Sequence, residues 1–499
     1  MTRIRKLLIA NRGEIASRVI RTARTLDIAT VAVFSDADAQ APFVTQADES
    51  VALPGNTAAE TYLRPELIID AARRTGADAV HPGYGFLSEN AEFAQACAEA
   101  GLIFVGPLPA SIRSMGSKTS AKQLMAQAGV PVLPGITIDD DEQFSAELGH
   151  RVEIEIGFPV LVKAAFGGGG RGMRVVAAAG ELTEAVVAAR REAFSAFGNG
   201  TVFLERLVQQ PRHIEVQIFA DTQGQVVHLF ERECSIQRRY QKILEESPSP
   251  IVDDALRVEL GSAAVAAAKA IGYVGAGTVE FILDASGEFF FLEVNTRLQV
   301  EHPVTELVTG LDLVGLQLTV AEGKPLPDEV LHATLNGHAI EARLYAEDVA
   351  AGYLPATGSL LRFEVPPLPG VRVDAGVCTG GEVSVHYDPM LAKVITWGAS
   401  RDESIERMAE ALRRTVVLGV VTNLDRLQAI VAHPAFRRGD LHTGFLEEHL
   451  SALERVPCPP AKGLAAAVLA LSRTPGAAAN GAGRPVADPW TSLGGWRLG

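Results

Sequence analysis

Two acidic side chains in a predicted β-hairpin offer the clearest chemistry in this chain. Residues 277–283 and 288–294 are rich in Val, Phe, Ile and Leu and flank an Asp-Ala-Ser-Gly turn, which indicates two antiparallel strands. If the turn centres on its Ala and Ser, Glu280 lies opposite Phe291, and Glu293 is the diagonal neighbour on the same sheet face. The spacing therefore predicts two carboxylates close together on one face.

Asn295 and Arg297 continue the same face at period two. Glutamate is a poor strand residue, and two like charges this close need a partner that offsets their repulsion. A divalent cation bound partly by water and nucleotide phosphates would meet that need. Glu280, Glu293 and Asn295 are thus the candidate ligands for Mg²⁺ or Mn²⁺, with a solvated sheet face as the alternative.

A run of glycines between two strand-like segments indicates a second element of phosphate chemistry. Gly167, Gly169 and Gly172 fit the G-x-G-x-x-G spacing, but that dinucleotide motif must open a helix, and residues 173–177 are β-like. We predict instead a hairpin flap whose bare backbone N–H groups close over phosphates, with a plain glycine-rich turn as the alternative. Its centre consists of four consecutive glycines, Gly167, Gly168, Gly169 and Gly170.

Two lysines stand where an ammonium group needs an anion. Lys163 lies inside an otherwise apolar strand, which is unfavourable unless an anion meets it. Ser117 is a predicted N-cap, so Lys118 falls in the first turn of a helix, where the helix dipole disfavours a cation. Phosphate groups would satisfy both lysines, although a plain exposed lysine is the alternative for Lys118. Glu205, in a predicted strand at residues 203–207, could accept a hydrogen bond from a purine amino group.

The bulk composition is that of an ordinary folded protein and argues against some partners. The 499 residues carry a formal net charge of −15, which does not suit broad binding of nucleic acid or of an anionic membrane. The four cysteines are scattered, without the CxxC pairs of a zinc site. Apolar runs are shorter than a membrane span, and the basic start lacks a signal-peptide cleavage site. We therefore expect a cytoplasmic location.

Local patterns divide the chain into segments of α/β and, in part, α+β character. Short apolar runs alternate with amphipathic helical patterns in the first segment, which predicts a doubly wound parallel sheet. Strand-like runs at residues 360–365, 381–386 and 393–397 precede a predicted helix at 402–416. After Pro457 the residues Ala, Gly and Pro dominate, which is typical of a linker. The predicted segments are 1–115, 116–205, 206–334, 335–450 and 451–499.

Nine motifs in order along residues 3–447 resemble those of the biotin carboxylase component of biotin-dependent carboxylases, within the ATP-grasp superfamily. They are ANRGEIA (10–16), HPGYGFLSEN (81–90), GGGGRGM (167–173), ECSIQRRYQK (233–242), EE (245–246), GAGTVEF (275–281), EVNTRLQVEHPVTE (293–306), YDPMLAK (387–393) and GVVTN (419–423). A single motif can arise by chance, whereas nine in order are specific. The resemblance implies an ATP-grasp fold with an N-terminal doubly wound domain, a glycine-flap lid domain and a C-terminal biotin carboxylase domain.

The resemblance also implies an activity, the ATP-dependent carboxylation of biotin by bicarbonate through carboxyphosphate. ATP would be bound by Lys118, Lys163, the glycine flap, Glu205, His213, Gln237 and Tyr240, and the metal by Glu280, Glu293 and Asn295. Bicarbonate would be bound by Lys242, Arg297, Gln299 and the backbone of Val300. Glu301 would be its general base, Arg343 would stabilise the biotin enolate, and Tyr84 would lie near the biotin.

Elementary chemistry agrees with these implied roles. Bicarbonate is a poor nucleophile until it is deprotonated, so a carboxylate such as Glu301 is needed within hydrogen-bond reach. The planar fork of Arg297 matches a planar oxyanion. Tyr240 departs from the family pattern, which often has His there. Because a phenol donates a hydrogen bond but does not easily carry positive charge, nucleotide affinity could differ.

The partners implied by the resemblance lie outside this sequence. It contains no Ala-Met-Lys-Met biotinylation motif, so biotin would be held by a carrier protein in trans or by a missing C-terminal domain. Residues 488–499 resemble the segment that follows this module in acyl-CoA carboxylase α-subunits, which favours a methylcrotonyl-CoA or other acyl-CoA system with a carboxyltransferase subunit. A homodimer is also implied. The alternatives are an ATP-grasp ligase that joins another carboxylate to an amine, and a non-catalytic ATP-sensing subunit.

Overall fold

The computed structural model describes residues 3–140, 145–165 and 173–453. By its internal contacts the chain divides into two units, Met1–Arg455 and Val456–Gly499, and all described elements belong to the first. Apart from residues 451–453, the segment predicted as a linker lies outside the described residues.

The first part of the chain folds as a parallel sheet between helices. Its elements are β1 (Lys6–Ile9), α1 (Gly13–Thr25), β2 (Ala29–Ser35), α2 (Pro42–Gln46), β3 (Glu49–Leu53), α3 (Pro65–Thr75), β4 (Ala79–His81), α4 (Ala91–Glu99), β5 (Ile103–Phe104) and α5 (Pro109–Met115). The strands run parallel in the order β3-β2-β1-β4-β5. Leu7 and Ile9 pack into one hydrophobic core and Leu8 into another, so both faces of the sheet are covered. The predicted doubly wound sheet is confirmed.

A smaller α/β unit follows, with an antiparallel sheet of order β6-β9-β7-β8. It comprises α6 (Lys118–Gln127), β6 (Gly135–Ile138), α7 (Ala146–Glu155), β7 (Val160–Ala164), β8 (Arg174–Val176), α8 (Ala179–Phe197) and β9 (Val202–Arg206). β7 and β8 pair antiparallel, which confirms the strands predicted on either side of the glycine run. The four glycines themselves, Gly167 to Gly170, lie outside the described residues. Ser117 caps α6 as predicted, since its side chain accepts from the N–H of Ser120.

The remaining elements build one large antiparallel sheet, three two-stranded sheets and the helices around them. They are β10 (Arg212–Ala220), β11 (Val226–Arg238), β12 (Gln241–Ser247), α9 (Asp254–Ala270), β13 (Gly275–Leu283), β14 (Phe289–Asn295), α10 (His302–Thr309), α11 (Leu313–Ala321), α12 (Asp328–Leu331), β15 (His338–Tyr345), β16 (Glu347–Asp348), β17 (Leu354–Pro355), β18 (Gly358–Ser359), β19 (Arg362–Glu364), β20 (Val371–Ala375), β21 (Glu382–Val383), β22 (Met390–Gly398), α13 (Arg401–Arg414), β23 (Val416–Leu418), α14 (Leu424–Ala432), α15 (Pro434–Arg438), α16 (Phe445–Glu448) and α17 (Leu450–Leu453). Eight strands pair in the order β14-β13-β10-β11-β12-β15-β22-β20. The sheet is continuous from the segment predicted as 206–334 into the one predicted as 335–450, because β12 pairs with β15.

Two sequence predictions in the last segment need correction. The strand predicted at 381–386 shortens to β21, because its partner β18 offers only two residues for pairing. The helix predicted to reach residue 416 ends at Arg414, and Val416 begins β23, which pairs with β19. The β-branched run Thr415-Val416-Val417 favours a strand over another helical turn.

Helices α10 and α11 together reach the length and hydropathy of a membrane span. They are bent by 96° relative to each other. No single helix among the residues described reaches that length and hydropathy.

Candidate active site

The hairpin of β13 and β14 brings its two carboxylates directly opposite each other. Glu280 pairs with Glu293, whereas nearer the turn Phe281 pairs with Phe291. The predicted register, with Glu280 opposite Phe291, is therefore wrong, because β14 contains one extra residue, Leu292, between these two pairings. Such a β-bulge cannot be detected by counting alternation. The predicted convergence of the acidic side chains on one face is confirmed.

Glu280 is the most connected carboxylate of this hairpin. Its Oε2 lies 2.8 Å from His213 Nε2, and its Oε1 accepts from Lys242 Nζ at 2.8 Å, Asn295 Nδ2 at 2.9 Å and Gln299 Nε2 at 3.2 Å. Burial alone would raise the pKa of Glu280, but Lys242 and His213 outweigh it and hold that pKa well below its ordinary value. Glu280 is therefore an anion at neutral pH.

Glu293 differs from Glu280 in that the residue as a whole is exposed, although protein atoms crowd around its carboxylate. Desolvation by the surrounding protein and the charge of Glu280 raise the pKa of Glu293. These carboxylates and the Asn295 amide, on one sheet face, form a set of hard oxygen donors, which is the donor type that Mg²⁺ and Mn²⁺ take in proteins. The three predicted ligands thus fit a divalent cation.

Lys242 lies at the centre of three buried carboxylates. Its Nζ is 2.6 Å from Glu215 Oε2, 2.8 Å from Glu280 Oε1 and 2.7 Å from Glu301 Oε1. Burial alone would lower the pKa of Lys242, but the carboxylates outweigh it and raise that pKa well above its usual range. Lys242 therefore supplies a fixed positive charge at the floor of the site.

Glu301 connects Lys242 to Arg343. Its Oε2 accepts from Arg343 Nη2 at 3.0 Å, and Arg343 Nε also donates to Glu245 Oε1 at 2.6 Å. Burial alone would raise the pKa of Glu301, but Lys242, Arg343 and Arg232 outweigh it and hold that pKa well below its ordinary value. Glu301 is thus ionised but weakly basic while both cations hold it. An anionic ligand that draws one of these cations away would raise the basicity of Glu301.

Arg297 faces this network from the loop after β14. Its guanidinium donates to Asn295 Oδ1 at 2.8 Å, to Gln299 Oε1 at 2.8 Å and to Glu89 Oε2 at 3.0 Å. Glu89 belongs to the N-terminal segment, and its ion pair with Arg297 was not predicted. The structure therefore brings the predicted bicarbonate residues Arg297 and Gln299 against the predicted metal ligands.

Glu205 is the anion that meets Lys163. Its carboxylate forms short ion pairs with both Lys163 and Lys122. Lys122 was not predicted, although it lies one helical turn after Lys118, a spacing that the sequence shows. Burial lowers the pKa of Lys118, against an opposing effect of Glu293. The three lysines concentrate positive charge near the hairpin, and the contact of Glu205 with a purine stays a prediction.

His213 and Gln237 belong to the same network as Glu280. Gln237 Nε2 lies 2.5 Å from His213 Nδ1, so Gln237 positions the imidazole whose other nitrogen faces Glu280. Tyr240 lies in the turn between β11 and β12, where it is 63% exposed and its backbone is left-handed, with a φ of 67°. Its place beside the phosphates stays a prediction.

Val300 and Tyr84 are joined through a lysine that had no predicted role. Lys393 Nζ donates to the carbonyl of Val300 at 2.7 Å, and the same ammonium lies 5.9 Å from the centroid of the half-buried Tyr84 ring. Their contacts with bicarbonate and biotin stay predictions.

Glu215 and Arg232 are two further functional candidates that sequence reasoning missed. Arg232 is fully buried, forms a short ion pair with Glu215, and donates to Gln217 Oε1 at 2.7 Å and to Thr305 Oγ1 at 2.8 Å. A signal existed, because His213, Glu215 and Gln217 alternate with apolar residues along β10. Polar residues at period two in an apolar strand indicate a polar sheet face.

Comparison with known proteins agrees with this architecture. Residues 3–112 match the family described as biotin carboxylase, N-terminal domain, and residues 341–448 match the biotin carboxylase C-terminal domain. Residues 117–329 match the ATP-binding domain of the carbamoyl-phosphate synthase L chain. The biotin carboxylase of Halalkalibacterium halodurans is 48% identical over 447 residues, which cover 89% of this chain and 98% of that protein.

Longer proteins and solved structures are also similar. The mitochondrial methylcrotonoyl-CoA carboxylase subunit alpha of Oryza sativa is 52% identical over 448 residues, or 89% of this chain and 60% of that subunit. The biotin carboxylase domain dimer of Hydrogenobacter thermophilus 2-oxoglutarate carboxylase, solved with MgADP, ADP and bicarbonate, superimposes with a TM-score of 0.85 at 42% identity, covering 91% of this chain and 100% of that domain. A biotin carboxylase–β,γ-ATP complex from Campylobacter jejuni gives a TM-score of 0.84 at 43% identity, covering 89% of this chain and 99% of that one.

The antiparallel sheet with its charged network and the smaller α/β unit with its lysines define an ATP-grasp ligase. The extent of the matches then identifies the family within this class of ligases. This chain belongs to the biotin carboxylase family.

Proposed function

We propose that this chain uses ATP to activate bicarbonate and carboxylate biotin. One observation carries the proposal. Glu301 lies between Lys242 and Arg343, and Lys242 in turn contacts Glu280 of the predicted metal pair. A base, two cations and a nucleotide-metal site are thus within a few ångströms of one another, which is the proximity that a reaction between two anions requires.

The chain's own residues supply the acid–base chemistry. Glu301 removes the proton of bicarbonate, and the resulting carbonate oxygen attacks the γ-phosphorus of ATP, which releases ADP and forms carboxyphosphate. Arg297 and Lys242 hold the planar oxyanion, as a forked guanidinium and an ammonium can. Carboxyphosphate then breaks down to carbon dioxide and phosphate, the phosphate takes the proton of the ureido nitrogen of biotin, and the resulting biotin enolate adds to the carbon dioxide. Arg343 stabilises the negative charge of that biotin enolate.

Nucleotide binding rests on the lysines and the hairpin. Lys118 and Lys163 neutralise the phosphates, as would the backbone of the glycine flap. Bound by Glu280, Glu293 and Asn295, Mg²⁺ or Mn²⁺ would neutralise charge on the transferring phosphoryl group. The support for a metal is the set of oxygen donors on one sheet face, and the MgADP in the Hydrogenobacter structure.

The complete system extends beyond this chain. The chain spans about 60% of the length of the methylcrotonoyl-CoA carboxylase subunit of Oryza sativa. We therefore propose that biotin reaches the site on a carrier protein or domain, and that a carboxyltransferase subunit uses the carboxybiotin for an acyl-CoA of the methylcrotonyl type. A homodimer, supported by the dimer in the Hydrogenobacter structure, and a cytoplasmic location complete the proposal.

Steady-state release of ADP tests the proposal. With MgATP, release should require bicarbonate and rise when free biotin is added. ADP release that depends on neither bicarbonate nor biotin would favour the other two possibilities, a ligase for a different carboxylate or an ATP-sensing subunit. Sedimentation equilibrium tests the dimer, which a purely monomeric chain would contradict.

A further inference from the structure

Lys393 is a buried cation for which the proposed reaction has no role. It lies on β22 with its side chain fully buried, and it pairs in the sheet with Arg343 on one side and Asp374 on the other. Directly opposite partners share a sheet face, so Lys393 is on the face that carries Arg343. A buried ammonium persists only where anions or carbonyls meet it.

The contacts of this ammonium join three separate parts of the chain. Its Nζ donates to the carbonyl of Val300 at 2.7 Å, in the loop before α10, and lies 3.3 Å from Glu14 Oε1, in the first turn of α1. The ring of Tyr84 is 5.9 Å away, within reach of a cation–π contact. One side chain of the C-terminal segment therefore links the N-terminal domain to the loop after the metal hairpin.

Two buried carboxylates near Lys393, those of Glu14 and Glu341, lack hydrogen-bond partners among the described residues. Neither oxygen of the fully buried Glu341 has a hydrogen-bond partner among the described residues. Glu341 is two residues from Arg343 on the same strand, and burial raises its pKa well above the ordinary value. Burial likewise raises the pKa of Glu14, to about 7, against an opposing effect of Lys393. Lys393 is the charge that most strongly opposes this rise in both groups, so it has a structural use as well.

The Val300 carbonyl is the contact that reaches the site. Its neighbours on either side, Gln299 and Glu301, both point into the network, where Gln299 donates to Glu280 at 3.2 Å and Glu301 accepts from Lys242 at 2.7 Å. Holding the carbonyl between them therefore fixes the direction of both side chains. A shift of this peptide would move the proposed base and one bicarbonate ligand together.

We propose that Lys393 is a positioning residue that sets the Gln299–Glu301 peptide for bicarbonate. This inference rests on the proposed function. It predicts that loss of the ammonium raises KM for bicarbonate far more than KM for ATP, because the lysines that face ATP lie on other elements. A charged hydrogen bond of this type corresponds to a change of about tenfold or more.

The variants Lys393→Met and Glu14→Gln/Lys393→Met test the proposal, with Lys269→Met at the exposed end of α9 as the matched control. The double variant also removes Glu14, one of the two carboxylates that would lose the charge of Lys393. We expect both to raise KM for bicarbonate by about tenfold while KM for ATP changes less than twofold, and the control to match the wild type.

The measured outcomes separate positioning from stability. The proposal is overturned if the double variant is as stable as the wild type and has the same KM for bicarbonate as the wild type. It is also overturned if the KM values for bicarbonate and for ATP rise in parallel. Failure of both variants to fold would assign Lys393 to stability alone and overturn it too. If ADP release by the wild type does not depend on bicarbonate, the proposed function is refuted instead. ADP release by the wild type is therefore measured before any variant is compared.

Discussion

Glu301 is held by Lys242 at 2.7 Å and by Arg343 at 3.0 Å, and these two contacts determine how it can act. They keep the carboxylate charged inside the protein, where an unpaired carboxylate would become neutral. They also occupy the cations that an incoming oxyanion needs. Binding of bicarbonate must therefore rearrange these ion pairs, and the base becomes stronger as it does so.

Replacing Glu301 with Gln tests this role. Glu301→Gln should leave ATP affinity near that of the wild type, because the nucleotide ligands are elsewhere, and should lower bicarbonate-dependent ADP release by about 10²–10⁴-fold. Calorimetric titration with a non-hydrolysable ATP analogue and steady-state kinetics measure the two quantities. Glu329→Gln, on the exposed face of α12, is the control. Turnover close to that of the wild type would remove Glu301 from the mechanism.

Glu246 gives a pH-dependent prediction for stability. His338 Nε2 and Arg401 Nε each lie 2.6 Å from its carboxylate. Burial alone would raise the pKa of Glu246, but these two partners outweigh it and lower the pKa from 4.5 to about 2. The folded-state value is the lower one, so this stabilisation is complete above pH 4.5 and is lost as the pH falls to about 2.

Glu246→Gln should therefore lower the free energy of unfolding by about 3 kcal/mol at neutral pH, since it leaves the Arg401 guanidinium and the buried His338 ring without their charged acceptor. The difference from the wild type should narrow as the pH falls from 4.5 to about 2. Urea unfolding at several pH values measures it, with Glu259→Gln on the exposed face of α9 as control. A difference that does not depend on pH would contradict the assignment.

At the scale of elements, the local patterns were predictable and the long-range pairings were not. The alternation of strands and helices predicted the parallel sheet, because each βα unit is local in sequence. The pairing of β12 with β15 joins residues almost 100 positions apart, and no local pattern indicates it. The bulge at Leu292 likewise depends on how two strands meet, so the sequence predicted the right side chains on the right face but in the wrong register.

The hairpin itself can be tested through Glu293. Because the bulge places Glu293 directly opposite Glu280, Glu293→Gln should weaken the binding of MgATP, seen as a higher Mg²⁺ concentration for half-maximal ADP release. The control is Glu288→Gln, in the exposed turn of the same hairpin. If Glu293→Gln and the control depend on Mg²⁺ in the same way, the hairpin is not the metal site.

At the scale of the whole molecule, three segments contribute to one site. Glu89 and Glu14 come from the N-terminal sheet domain, Glu280 and Glu301 from the central segment, and Arg343 from the C-terminal segment. The candidate residues on the central segment could be found from sequence because they cluster in motifs. Contacts such as Glu89 with Arg297 span more than 200 positions, so only the folded chain reveals them.

Transfer of labelled carbon from bicarbonate to biotin tests the central claim most directly. The chain, MgATP, ¹⁴C-bicarbonate and free biotin should yield acid-labile carboxybiotin in proportion to the ADP released, and Glu301→Gln should lower the yield by about 10²–10⁴-fold. Formation of ADP with no label on biotin would contradict the claim.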